Sequence, residues 1–299
     1  MKLGVFGFID TIEGITASLK EASEQGFDSY WMPQTFGVDT LTVIGAIGPQ
    51  VPNLRLATAV VPTYPRHPMM LAQQALTTNY LVGGRLVLGI GPSHKPVEEG
   101  SWGISIDRPI RHLKEYLEAL DGALTQKVRY RGETITARGD LSVPGAPVPP
   151  VLVSALGPQL LRLTGRLADG TITWMTGPNT LRDLTVPTLC EAAAAADRPA
   201  PEVVVGVPVC VTADVAGMRE RARKSFQMYG GLPSYRAMLD REGYEGPGDI
   251  AIIGDADTVA ERILSFAELG TTTFAASEFG GSDERAATRE LLVSLLGRL

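Results

Sequence analysis

Cysteine and histidine are both scarce in this chain: two Cys (Cys190, Cys210) and three His (His67, His94, His112) in 299 residues. They form no C-x-x-C pair, no H-E-x-x-H run and no cluster at metal-ligand spacing, so neither a metal site nor a disulfide framework is expected. Walker A and G-x-S-x-G motifs are missing too, which argues against P-loop chemistry and a serine nucleophile elbow. Positive charge is in deficit. The 27 basic and 33 acidic side chains leave a net charge of −6, the wrong sign for a nucleic-acid footprint. No apolar run approaches the ~18 residues of a membrane span, and the opening MKLGVFGF is too short for a secretory signal. The expectation is a cytoplasmic protein with small-molecule partners, and neither nucleic-acid nor membrane binding.

What the chain does have is a regular alternation of apolar strand-like runs and amphipathic stretches, the pattern of a parallel sheet wrapped by helices. The runs are Leu3–Phe8, Phe27–Pro33, Leu54–Pro62, RLVLGIG (Arg85–Gly91), PVLVSAL, GTITWM, VVVGVPVCVT and Thr272–Phe279. Between the first two, Asp10 and Glu13 are spaced as a capping box, Ile12, Ile15, Leu19 and Ala22 recur at helical spacing, and Gly26 supplies a stop. Further helices are expected over 39–48, over 68–81, over 108–124 with Asp107 as cap, from Gly157 with Leu160, Leu163 and Leu167 on one face, and over a stretch closed by Gly270. The segment of about 97–148 is too long for one turn and one helix, and reads as an insertion after the fourth strand. Eight strand–helix units fit one closed (β/α)8 barrel over 1–299 better than an open sheet.

Such barrels carry their chemistry at the C-terminal ends of the strands. Here that rim comprises Gly7 and Phe8; Pro33, Gln34 and Thr35; Ala59 to Val61; Gly89 to His94; Ser154 to Gly157; Thr173 to Gly177; and Ser277 to Gly280. It is mostly uncharged and rich in small residues, which suits a planar polar ring held by main-chain hydrogen bonds. Gly89-Ile90-Gly91 starts like a dinucleotide fingerprint, but His94 stands at its sixth position and no acidic ribose partner is identifiable. SALGPQ offers a helix N-terminus to a phosphate, or is an ordinary β-to-α turn.

The segments YWMPQ, TAVVPTYPRHP, RLVLGIGPSHK, the EYLEAL helix, PVPPVLVSALGPQLLRLTGRLADGTITWM and GDADTVAERILSFAELGTTTFAAS together resemble the bacterial luciferase-like family of flavin- and deazaflavin-dependent oxidoreductases. They are most similar to its branch that uses coenzyme F420. The resemblance implies a (β/α)8 barrel whose insertion helps cover the cofactor, and dimerisation. It implies a cis peptide at Ala59-Val60, against which the ring lies. Gln34 stands where the family usually offers an ionisable group, so it would orient rather than transfer protons. By the same resemblance Gly91, Pro92, Ser93 and His94 approach cofactor and substrate, Ser154, Ala155, Leu156 and Gly157 meet its phosphate, and Thr173 and Trp174 its tail.

The implied reaction is hydride transfer between F420 and a C=C, C=N or C=O/alcohol group. FMN-dependent monooxygenation and non-catalytic binding of a flavin or deazaflavin are the alternatives. His94 is the candidate proton donor, against a phosphate-binding or solvent-facing loop histidine. His67 reads as structural and His112 as exposed on its helix. Trp174 reads equally as pocket wall or core, Lys95 as a partner of the anionic tail or simply solvated, and 226–244 as a substrate-shaping helix–loop–helix.

Overall fold

The structure is a computed structural model and describes residues 1–34 and 36–298. Eight parallel strands close on themselves in chain order: β1 (Lys2–Phe6), β2 (Ser29–Met32), β3 (Arg55–Thr58), β4 (Leu86–Gly91), β5 (Val151–Val153), β6 (Gly170–Trp174), β7 (Glu202–Val211) and β8 (Thr273–Glu278). The ring closes through β6 on β7, β7 on β8 and β8 on β1. It is the expected (β/α)8 barrel.

One inward side chain from every strand fills the lumen: Phe6, Trp31, Ala57, Val87, Leu152, Ile172, Val204 and Ala275. Large and small residues are balanced there, since Gly4 and Gly206 lie where a Cβ would crowd Trp31 and Phe6. Ala59, Val60 and Trp174 pack on top of this layer. The barrel is therefore a solid core whose upper end can carry a site. Among the described residues no helix is long and apolar enough to cross a membrane.

Helices α1 (Ile12–Gln25), α2 (Thr40–Ile47) and α3 (Pro68–Leu81) follow the first three strands. Gly26 ends α1 in the left-handed region, but the cap at its start is Thr11, whose hydroxyl accepts the Gly14 N–H at 3.2 Å. A hydroxyl serves that purpose as well as the carboxylate of Asp10, and the helix starts one residue later than the Asp10–Glu13 box predicts. Ile12 is exposed; Ile15, Leu19 and Ala22 alone face the core. The third apolar run is not one strand. It breaks after Thr58 at a cis Ala59-Val60 peptide and resumes as Val61–Pro62.

Between β4 and β5 lie α4 (Lys95–Ser101), α5 (Pro109–Leu124) and an antiparallel hairpin, Lys127–Arg131 with Thr136–Asp140. Asp107 does not cap α5. Pro109 presets the first helical residue, and Arg108 before it takes a left-handed φ of 50° with no side-chain cap. The hairpin turn is held by Glu115 of α5, whose carboxylate accepts from the backbone N–H groups of Glu133, Thr134 and Ile135 and from the Thr134 hydroxyl.

The rest of the barrel carries α6 (Pro158–Leu167), α7 (Val186–Ala194), α8 (Val215–Ser225), α9 (Pro233–Glu242), α10 (Ala256–Ser265) and α11 (Ser282–Leu295). In α6 the buried positions are Leu161, Leu163, Thr164 and Gly165, a face rotated from the predicted one; Leu160 turns toward the rim. Among the elements that escape the sequence pattern are α4, Ile252–Gly254, a short strand paired with the end of β7, and the terminal helix α11.

Candidate active site

A cleft of about 580 Å³ opens at the C-terminal ends of the strands, within the usual ~300–1,000 Å³ of small-molecule sites. Its floor is the top of the barrel, with Phe6, Ala59, Val60 and Ile172. Pro92, Ser93 and His94 rise from the end of β4, Ser154 and Leu156 from that of β5, and Thr173 and Trp174 from β6. Gln34 stands at the end of β2. Tyr229, Ser234 and Tyr235 close the far side from the segment that includes α9, and Pro109 and Ile110 come from the start of α5.

Eleven of the expected residues thus line one space: Gln34, Ala59, Val60, Pro92, Ser93, His94, Ser154, Leu156, Gly157, Thr173 and Trp174. Gly91 and Ala155 do not. Both are fully covered, Gly91 as the last residue of β4 and Ala155 in the core between sheet and helices. The strand-four glycines answer to packing between strands. A Cβ on Gly91 would sit 2.1 Å from Ser154 Oγ, and one on Gly89 only 1.9 Å from the Thr58 carbonyl oxygen. Neither has a positive φ. Thr35 lies outside the described residues.

His94 is half-buried, and neither ring nitrogen has a hydrogen-bond partner among the described residues. Its flanks are aromatic: the Tyr229 and Tyr235 rings stand edge-on at centroid distances of 6.2 and 6.0 Å. Burial lowers its pKa below the ordinary 6.5, leaving a neutral imidazole at neutral pH. Lys95 next to it is exposed and paired with Glu99 at 3.5 Å.

Trp174 fills both roles read from the sequence. It belongs to an aromatic wall with Phe6, Phe8 and Phe226, at centroid distances of 4.8, 5.0 and 6.2 Å, and it lines the cleft.

At the opposite wall, Gly157 is the N-cap of α6, with Pro158 in the first turn and no side-chain cap. The N–H groups of Gln159 and Leu160, both at the cleft, have no partner among the described residues. Unpaired donors at the positive end of a helix favour an anion. Gly157 itself is not sterically required, since an added Cβ would meet nothing within 4 Å.

The other two histidines lie outside the cleft. His67 caps α3, its Nδ1 accepting the Met69 N–H, with Nε2 3.0 Å from the Thr136 carbonyl. It is structural, as read. His112 is not exposed: Thr63 and Tyr64 lie over it, and the residue is 6% accessible. It stacks on Tyr64 at 3.9 Å, with Nε2 3.3 Å from Thr63 Oγ1, and burial holds its pKa down to about 4.

The residues missed were those brought in from afar. Tyr229, Ser234 and Tyr235 carry no motif; only the composition of 226–244 hinted at them. Ile110, Gln159 and Leu160 sit on helix starts and gave no separate signal.

The sequence pattern that defines luciferase-like monooxygenases matches residues 2–273. A 5,10-methylenetetrahydromethanopterin reductase of Methanolobus tindarius is 27% identical over 252 residues, 83% of this chain and 76% of that protein. An F420-dependent glucose-6-phosphate dehydrogenase of Nakamurella multipartita is 30% identical over 282 residues, 83% of this chain and 81% of its own length. Among solved structures, the F420-dependent tetrahydromethanopterin reductase of Methanopyrus kandleri superposes with a TM-score of 0.83 at 20% identity, covering 98% of this chain and 97% of that one.

Proposed function

The chain belongs to the luciferase-like monooxygenase family, and from that premise we propose that it is an F420-dependent oxidoreductase acting on a small organic substrate. The relatives named for F420 support this reading, and the residues fit the cofactor. The cleft has an apolar floor at Ala59 and Val60 broad enough for a planar ring. The unpaired N–H groups of Gln159 and Leu160 would hold the phosphate of its tail. When bound, F420 supplies a two-electron hydride donor or acceptor.

The observation that carries the reading is the unpartnered His94 imidazole at this cleft, between two tyrosines and the end of β4. In the oxidising direction of an alcohol substrate, a ring nitrogen of His94 would take the hydroxyl proton as the carbonyl forms. In the reducing direction His94 returns that proton to oxygen. A neutral imidazole flanked by two tyrosine rings is suited to accept it. Trp174, Tyr229 and Tyr235 shield that exchange from water. The same reading has the protein acting in the cytoplasm as a homodimer, for which gel filtration is the check on assembly.

Titration of the purified chain with F420 and with FMN tests the cofactor: micromolar binding of F420 is expected, and binding of FMN alone overturns the reading in favour of a monooxygenase. Reduced F420 should then be consumed with at least one of a panel of ketones, enones and imines, or oxidised F420 with an alcohol. No turnover across the panel would leave a binding protein.

A further inference from the structure

Gln34 lines the cleft, yet most of its amide is already committed. Its Oε1 accepts from Thr40 twice, from the hydroxyl at 2.8 Å and the backbone N–H at 3.3 Å. Its Nε2 donates one hydrogen to Asp39 Oδ2 at 3.2 Å. Amide oxygen and nitrogen are assigned from their neighbours, and here the neighbours admit one assignment. A carboxylate only accepts and a backbone N–H only donates. Turning the amide over would set Oε1 against Asp39 and an N–H against the Thr40 N–H.

Asp39 is itself fixed. It caps α2 through the Thr42 N–H at 2.9 Å and also receives the Thr42 hydroxyl, the Gln74 amide and the Arg66 guanidinium. Arg66 in turn donates to Gln74 Oε1 at 2.8 Å, which locks the second amide as well. Burial works to raise the Asp39 pKa, but the bonds from Arg66 and Thr42 prevail and hold it below the ordinary carboxylate value. It is an anion, and an acceptor only, at neutral pH.

We propose that Gln34 is a one-way donor: the Nε2–H that has no partner among the described residues is offered to a carbonyl-type oxygen of the bound ligand, and Asp39 is the positioning residue that fixes this polarity. The inference rests on the oxidoreductase reading above and deepens it. A donor held in this orientation stabilises negative charge on an oxygen, whether that of the deazaflavin ring or of a substrate carbonyl receiving hydride. It cannot accept a hydrogen bond, so the ligand presents no N–H or O–H at this point.

The test uses Gln34→Met, which keeps the length of the side chain and removes the donor, and Asp39→Asn, which can still cap α2 through its oxygen but can set an N–H where Gln34 Nε2 had its acceptor, and so loosens the hold on the Gln34 amide. Circular dichroism and gel filtration check the fold of each. The dissociation constant for oxidised F420 comes from fluorescence titration, and KM and kcat from cyclohexanone with reduced F420. Each variant should lose about 10-fold, the worth of one such hydrogen bond. Because both act on one bond, the double variant should be no worse than Gln34→Met alone, whereas a merely structural Asp39 would add its own loss. A loss in F420 affinity assigns the oxygen to the cofactor, and a loss in kcat at saturating F420 assigns it to the substrate.

Gln34→Met with both constants within twofold of wild type overturns the proposal. So does unchanged F420 affinity if cyclohexanone is not turned over. A wild-type chain that binds FMN and not F420 refutes the cofactor reading instead, and the same variants titrated with FMN then decide the donor. Binding of neither refutes both.

Discussion

Gly89→Ala isolates the tightest packing between the strands that support the site. The added Cβ would lie 1.9 Å from the Thr58 carbonyl oxygen and 3.1 Å from its carbon. Those atoms are backbone and cannot swing aside, so β3 and β4 would have to part by roughly 1.5 Å to reach ordinary contact. That motion breaks a buried exchange in which the Thr58 hydroxyl donates to the Gly89 carbonyl at 2.7 Å and accepts the Gly89 N–H at 2.9 Å. Overpacking costs about 1–3 kcal/mol and the two hydrogen bonds about 0.5–1.5 kcal/mol each, giving a loss of about 2–6 kcal/mol. Thr58 also precedes the cleft floor at Ala59, so F420 affinity should fall with stability. Chemical denaturation followed by tryptophan fluorescence measures the first and F420 titration the second. Gly157→Ala is the control: its φ is −88° and its Cβ meets nothing, so it should stay within about 0.5 kcal/mol of wild type. A Gly89→Ala protein within about 1 kcal/mol of wild type and with full cofactor affinity would refute the packing argument.

Three more outcomes follow from titrating groups. His94 has its pKa lowered by burial, so kcat/KM for alcohol oxidation should rise with pH through a limb below 6.5 and level off at neutrality; His94→Ala should erase that limb while leaving F420 affinity intact, and an unchanged profile would remove His94 from proton transfer. His112, held neutral by burial down to about 4, gives stability that is full above 6.5 and falls as pH drops toward 4, because the unfolded chain binds the proton first. Denaturation midpoints for His112→Leu across that window should show a shallower slope than wild type. Glu115 has a carboxylate pKa of about 2, as hydrogen bonds from Thr134, Glu133 and Ile135 outweigh its desolvation; its contribution is present above about 4.5 and lost as pH falls toward 2. Glu115→Gln, which leaves N–H groups of the hairpin turn without an acceptor, should cost about 1–3 kcal/mol at neutral pH, and equal midpoints for the two proteins would count against that anchoring.

The barrel was legible because each of its units writes its own signature. Runs such as VVVGVPVCV can only be buried strands, and a proline or capping residue announces most helices. Local chemistry also explains where the reading slipped. Asp10 and Thr11 are both competent caps, and adjacent residues cannot be ranked without knowing where the chain turns. Asp107 looked like a cap only because Pro109 was not credited with fixing the start of α5. The Ile252–Gly254 strand and α11 escaped because a count of eight units was already complete without them.

The site was legible to the extent that it is built from strand ends, and Gln34, Val60, His94 and Trp174 reach the cleft for that reason alone. The glycines of RLVLGIGPSHKP show where position without packing misleads. Their place in the sequence suggested room for a ligand, but the space is taken by Thr58, Val60 and Ser154 of neighbouring strands, so their effect on binding is indirect, through the floor those strands support. His112 and Tyr235 mark the harder limit. Burial of the first depends on Tyr64 and Thr63 arriving from about fifty residues earlier, and the second meets His94 only because α9 folds back across the barrel mouth. Neither contact has a period or a spacing to reveal it. The polarity of Gln34 lies at that same level: the residue type says only that it can donate or accept, and five side chains from α2, α3 and the loops before them decide which.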